Sequence, residues 1–296
     1  MKKPLLIFVM ALNLSLAISA SAHAFDIGKI IEKTKQSTAA SSASTDSGLL
    51  KISDSKYIFS RETSPESKWV MLNVVKDGNK EQILLPVVNS RVSLTIYLRN
   101  GAGVYEIQVA ESASAEKYGS GYFVKPSVKI ENIDKRNMSF LLPSELVQSD
   151  NAEIIALAKT ITAGAVDEMD MIKKIHTYVA QTIKYDYDSY YDGSYATKAF
   201  DAITTLKKLT GVCAGYSDLY AALARAVGIR TKVIYGIGYM SKTESGDHAW
   251  NEVFINNNWM SVDVTWDSTT GRMFKYFNIP EEVFDQDHQK QTEQAI

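Results

Sequence analysis

Cys213 is the only cysteine among 296 residues, in Gly211-Val212-Cys213-Ala214-Gly215-Tyr216. Gly211 interrupts one helical pattern and an apolar periodicity restarts after it, so the thiol is placed at a helix N-terminus. Such a site, with an imidazolium beside it, brings a thiol pKa from ~8.5 into the range ~3.5–7.5. It also leaves the Cys213 backbone N–H free to hold a developing oxyanion. Downstream come His248, in Asp247-His248-Ala249-Trp250-Asn251-Glu252, and Asp263, in Asp263-Val264-Thr265-Trp266-Asp267. Nucleophile, general base and orienting carboxylate in that order suit acyl transfer through a thioester. The plain alternative is that Cys213 is a small buried apolar residue.

Two strands must bring the base and the carboxylate together. Residues 248–255 and 259–266 alternate, with His248 and Trp250 on one face of the first and Asp263 and Thr265 on one face of the second. A two-residue turn at Asn256-Asn257 pairs Ile255 with Asn258 and makes His248 and Asp263 diagonal neighbours, with backbones about 7–8 Å apart. A slip of one residue would send them to opposite faces. Of the other histidines, His176 falls on the apolar face of a helix and reads as a hydrogen-bonded core residue. His288 sits in a polar tail and reads as exposed. Asp267, the rival orienter, stays on the face of Asp263 but lies past His248.

Residues 1–24 have the parts of a cleaved export signal: Lys2 and Lys3, an apolar stretch, and Ala22-His23-Ala24 as cleavage site. A lone thiol in an exported chain has no internal disulfide partner. The remainder is long enough for two cored domains. A net charge of −2 without basic blocks argues against nucleic acid or an anionic membrane as partner. One cysteine excludes Cys-rich zinc sites, and no cofactor or metal is expected. The acidic loop at Asp186, Asp188, Asp192 and Gly193 misses the calcium-loop spacing.

Along the chain, residues 25–35 suit a short amphipathic helix and 36–48 a Ser/Thr/Ala linker. Residues 49–142 hold short alternating segments at 56–60, 69–75, 82–88, 91–98, 104–109, 121–124 and 128–133, the pattern of an immunoglobulin-like β-sandwich. Residues 143–296 begin with helical periodicity: Ile154 to Ile161, Ile172 to Ile183, Ala199 to Leu206, and a fourth helix from Cys213 stopped at Gly228. Strands at 232–239, 248–255 and 259–266 follow, giving an α+β core.

The three motifs, with Val227-Gly228-Ile229 and 233–238 between them, resemble the transglutaminase-like superfamily over residues 150–285, closest to secreted bacterial members and kyphoscoliosis-peptidase-like proteins. The resemblance implies a papain-like core with Cys213, His248 and Asp263 as catalytic triad. It implies a cysteine protease or amidase where water is the acceptor, and a transglutaminase-type acyltransferase where an amine is. Substrates would be proteins or peptides, a cell-wall peptide among them. Neither a glutamine at 204–210 nor a tryptophan between Trp69 and Trp250 supplies the second oxyanion donor. Tyr185 and Tyr187 are candidates for it, with Tyr216 and Trp250 as further candidates to line the oxyanion site or cleft. The tyrosine-rich 185–195 stretch either lines the substrate cleft or folds over the core. Two non-enzymatic readings stand beside this: an inactive scaffold of the cell envelope retaining the fold, and an adhesin-like role for the β-domain.

Overall fold

The computed structural model describes residues 48–114, 121–196, 198 and 200–293. The export signal, the 25–35 helix and the linker before Gly48 lie outside them.

Eight strands come first: β1 (Leu49–Ser53), β2 (Lys56–Glu62), β3 (Trp69–Lys76), β4 (Asn79–Pro86), β5 (Arg91–Tyr97), β6 (Gly103–Ser112), β7 (Tyr122–Val124) and β8 (Val128–Asn132). One sheet has the order β1-β2-β5; the other runs β4-β3-β6-β7, with β8 also on β6. Alternation directs Tyr57, Phe59 and Ile96 from one sheet and Leu72, Tyr105 and Ile107 from the other into a single buried cluster. Two antiparallel sheets sharing one core make a β-sandwich. β1 was not foreseen; the other strands fall on the expected segments.

Helices follow: α1 (Ala152–Ile161), α2 (Glu168–Thr182), α3 (Tyr187–Asp192) and α4 (Ala202–Lys208). Each starts on an Asx cap: the side chains of Asn151, Asp167, Asp186 and Asp201 accept from the backbone N–H of the second or third helical residue. α4 begins at Ala202, and Ala199 lies outside the described residues. α5 (Cys213–Ala226) is buried on all sides from Gly215 to Arg225 and forms the centre of the second core, with Ile154, Ile172 and Val253 around it. A Cβ on Gly215 would stand 2.5 Å from Thr205 Oγ1, so glycine lets α5 approach α4.

A four-stranded sheet closes this core in the antiparallel order β13-β12-β11-β14, from β11 (Thr231–Tyr239), β12 (Ser245–Ile255), β13 (Asn258–Val262) and β14 (His288–Glu293). Between β13 and β14 lie α6 (Val264–Thr270) and α7 (Glu281–Phe284). The third expected strand therefore ends at Val262 rather than running to Trp266. Asp263 turns its carboxylate onto the backbone N–H groups of Thr265 and Trp266, capping α6 and ending the strand.

The sandwich and the α+β core belong to one compact unit. Arg99, paired with Glu81 at 2.9 Å, and Arg225 of α5 both donate to the Leu142 carbonyl, at 3.4 and 3.1 Å.

Candidate active site

The site forms where the tip of α5 meets β12. Val212 is the extended N-cap and Cys213 the first helical residue, so its backbone N–H belongs to the first turn, where no intrahelical acceptor exists. A two-residue parallel ladder, β9 (Lys184–Tyr185) on β10 (Thr210–Gly211), fixes the approach to Cys213 and sets Tyr185 opposite Gly211. Asn251, fully buried in β12, donates to the Ser217 carbonyl of α5 and the Lys232 carbonyl of β11, both at 3.0 Å. These bonds hold the histidine strand against the helix.

The β12–β13 hairpin has the register inferred from the turn. Ile255 pairs with Asn258 and Asn251 with Val262. Asn256 and Asn257 take φ values of 52° and 63°, the left-handed pair of a type I′ turn. In consequence His248 Nε2–H donates to Asp263 Oδ2 at 2.7 Å. Cys213 and His248 line one cavity of about 340 Å³ with Tyr190, Tyr195 and Tyr235, and the sulfur lies close enough to favour the charged ring.

Burial works against a charged His248 ring, but Asp263 overcomes it through charge and hydrogen bonding, with Cys213 adding to the effect. The imidazole is pushed well above its ordinary range. Burial likewise disfavours the Asp263 carboxylate, and His248 and His288 together hold it well below the usual range.

His288 is the principal correction. It is 1% exposed, not part of a solvated tail. Its Nε2–H donates to Asp263 Oδ2 at 3.1 Å, and Nδ1 faces Asp287 Oδ1 at 2.7 Å and the Phe284 carbonyl at 3.2 Å. The apolar faces that bury it come from Trp266, Trp250 and Phe284. His248, Asp263 and His288 bring potential ligand atoms within 4.8 Å of one another. The separations to Oδ2, 2.7 and 3.1 Å, are hydrogen-bond lengths, and the group is described as a hydrogen-bond network.

His176 is a core residue as expected: fully buried, it bonds Asp267 Oδ2 at 2.9 Å. That bond, with the Tyr276 N–H on Asp267 Oδ1, occupies Asp267 away from His248. Tyr185 sits near Cys213; burial first, then the charge of Cys213, pushes its hydroxyl far up, so it stays a donor. Tyr187, half exposed, lines a second cavity of about 470 Å³ with Tyr185, Tyr190, His248 and Trp266. Two further candidates are not brought to Cys213. Tyr216 is fully buried with its hydroxyl donated to the Ile183 carbonyl, and Trp250 packs beside His248 and His288 against Ile234 and Phe284. Tyr190 borders both cavities; a single tyrosine inside a tyrosine-rich segment carries no sequence signal of its own. The expected acidic loop is largely the helix α3, with Asp186 capping it at the Ser189 N–H and Asp192 accepting from the Ser194 N–H.

Helices first, then an antiparallel sheet, with a cysteine at the tip of the central helix facing a histidine–aspartate pair, define a papain-like α+β class. Residues 155–264 match the transglutaminase-like superfamily. Kyphoscoliosis peptidase of Mus musculus is 25% identical over 166 residues, covering 52% of this chain and 25% of that protein. The Homo sapiens protein is 28% identical over 143 residues, covering 42% and 21%. The matched region thus spans about a quarter of the length of these curated relatives. Among solved structures, a proposed cysteine protease from Cytophaga hutchinsonii aligns with a TM-score of 0.43 at 18% identity, covering 81% of this chain and 77% of that one.

Proposed function

We propose that the chain is an exported bacterial thiol enzyme that cleaves or transfers protein or peptide amide bonds through an acyl-thioester on Cys213. One observation carries this reading: the 2.7 Å bond from His248 Nε2–H to Asp263 Oδ2, with Cys213 on the same imidazole. Asp263 fixes the tautomer and favours the charged ring, and an imidazolium beside a sulfur favours the thiolate. The thiolate attacks the carbonyl carbon, and the oxyanion meets the Cys213 N–H and the Tyr185 hydroxyl. His248 gives its proton to the leaving amine, which departs as the thioester forms. It then takes a proton from water or an acceptor amine as that group attacks the thioester and expels Cys213. The tyrosine-lined cavities flanking His248 suit an extended peptide. Export to the periplasm or beyond rests on residues 1–24 alone.

The test is incubation of wild type and Cys213→Ala with a peptide library, with and without an added amine. Cleavage by the wild type alone assigns a protease, and amine incorporation an acyltransferase. Equal inactivity of both proteins returns the chain to the scaffold reading.

A further inference from the structure

His288 lies outside residues 155–264, the part matched by the superfamily, yet it is bonded to the carboxylate at the heart of the candidate site. The Asp263 side chain accepts four hydrogen bonds. Oδ1 takes the backbone N–H of Thr265 at 2.9 Å and of Trp266 at 3.0 Å; Oδ2 takes His248 at 2.7 Å and His288 at 3.1 Å. A carboxylate offers about four lone-pair sites, so this one is saturated. Being fully buried, it has no water to replace a missing donor.

We propose that His288 is a positioning residue of the thiol site, a second imidazole that locks the Asp263 carboxylate so that His248 presents its other nitrogen to Cys213. This rests on the enzymatic reading above and adds to it a hydrogen-bonded chain running Asp287, His288, Asp263, His248, with Cys213 beside its last ring. Asp287 anchors the far end. Its Oδ1 faces His288 Nδ1, its Oδ2 accepts from the Tyr276 hydroxyl at 2.9 Å, and it borders the larger tyrosine-lined cavity. Every partner of the two His288 ring nitrogens is an acceptor: Asp263 Oδ2, Asp287 Oδ1 and the Phe284 carbonyl.

Against the ring also lie His248, with centroids 5.6 Å apart, and Tyr276, at 5.5 Å, whose hydroxyl accepts from Lys275 Nζ; Glu252, Glu281, Asp285 and Lys290 share a cavity of about 480 Å³ with it. The ring is also held by packing. Phe284 stacks on it at 3.8 Å and Trp266 lies 4.4 Å away, and Trp266 stacks on His248 as well. Two forces therefore act on His248 through His288: a donor on the shared oxygen and a wall behind the shared tryptophan.

The test separates the two. His288→Phe keeps an aromatic ring on Phe284 and Trp266 and removes the donor to Asp263; His288→Gln keeps an N–H donor and loses the ring. The readout is the rate of Cys213 alkylation by iodoacetamide across pH, on variants whose thermal melts show a folded chain. The Phe variant is expected to react about tenfold slower at neutral pH with an altered pH profile, the loss typical of removing a residue that orients a functional group. The Gln variant is expected to recover most of the rate. A folded Phe variant with the wild-type rate and profile overturns the proposal, and so does a Gln variant as slow as the Phe variant. If the wild-type thiol is itself inert, the enzymatic reading fails separately. The nitrogen resonances of His248 then decide: a shift in the Phe variant that the Gln variant reverses supports the coupling, and unchanged resonances reject it.

Discussion

The indole of Trp266 lies nearly parallel to the imidazole of His248, with centroids 4.8 Å apart and planes inclined by 22°. Gly238 makes room for the pair. A Cβ there would stand 2.7 Å from Trp266 Cζ2 and 3.1 Å from His248 Cβ. Both neighbours are rigid rings, so the strain of Gly238→Ala falls on the stack. We expect a loss of about 1–3 kcal/mol, the usual cost of overpacking, together with slower Cys213 alkylation. An alanine variant with wild-type stability and rate would show that the rings shift without consequence.

Buried charges in the site give stability a defined pH dependence. Asp263 lies below its ordinary range in the folded chain, so its contribution is complete above about pH 4 and is lost as the pH falls further. His248 is pushed up to about 10, against burial, by Asp263 and Cys213. Its contribution is complete below about 6.5 and fades as the pH rises toward 10. The melting-temperature difference between wild type and His248→Gln should therefore be largest between about pH 4 and 6.5 and shrink on the alkaline side. A difference that grows with pH would contradict this charge assignment.

The Asn256-Asn257 turn sets the hairpin register, and its left-handed backbone is costly for most side chains. Asn257→Gly should leave stability unchanged or raise it by a few tenths of a kcal/mol, whereas Asn256→Val should cost about 1–2 kcal/mol. Denaturant midpoints measure both. Equal midpoints would mean that the strands, not the turn, hold the register.

Asp263 and Asp267 stand four residues apart and each bonds a buried histidine, yet they do different things. Asp267→Ala strands His176 and the Tyr276 N–H and should cost about 3–5 kcal/mol. The alkylation rate per folded molecule should stay at the wild-type level. Asp263→Asn should behave in the opposite sense, with a slow thiol in a folded chain. Matching rate losses in the two variants would refute the division of labour.

These contrasts show what the chain reveals before folding and what it hides. Strong alternation made the sandwich strands legible, and Asn256-Asn257 with its flanking strands gave the hairpin register and so the His248–Asp263 pair. His176 was readable as core from its place on an apolar helical face. His288 was not, because β14, His288–Glu293, is polar almost throughout: it pairs with β11 through backbone bonds and exposes most of its side chains. Only the first residue of that strand turns inward, and one residue carries no periodicity. The end of β13 was hidden for a different reason. Val264, Thr265 and Trp266 have high β-propensity, and the Asp263 cap overrides it. Tyr216 looked like a cleft residue beside the thiol, but the helical turn after Cys213 points it into the core.

The central claim is that His248, held by Asp263, activates the sulfur of Cys213. It is tested most directly by the iodoacetamide labelling rate of Cys213 at neutral pH in wild type and in His248→Ala. The account predicts fast, single-site labelling of the wild type that slows at least tenfold in the variant, since an adjacent imidazolium is what favours the thiolate. Equal rates in the two proteins, or a wild-type thiol no faster than free cysteine, would contradict it.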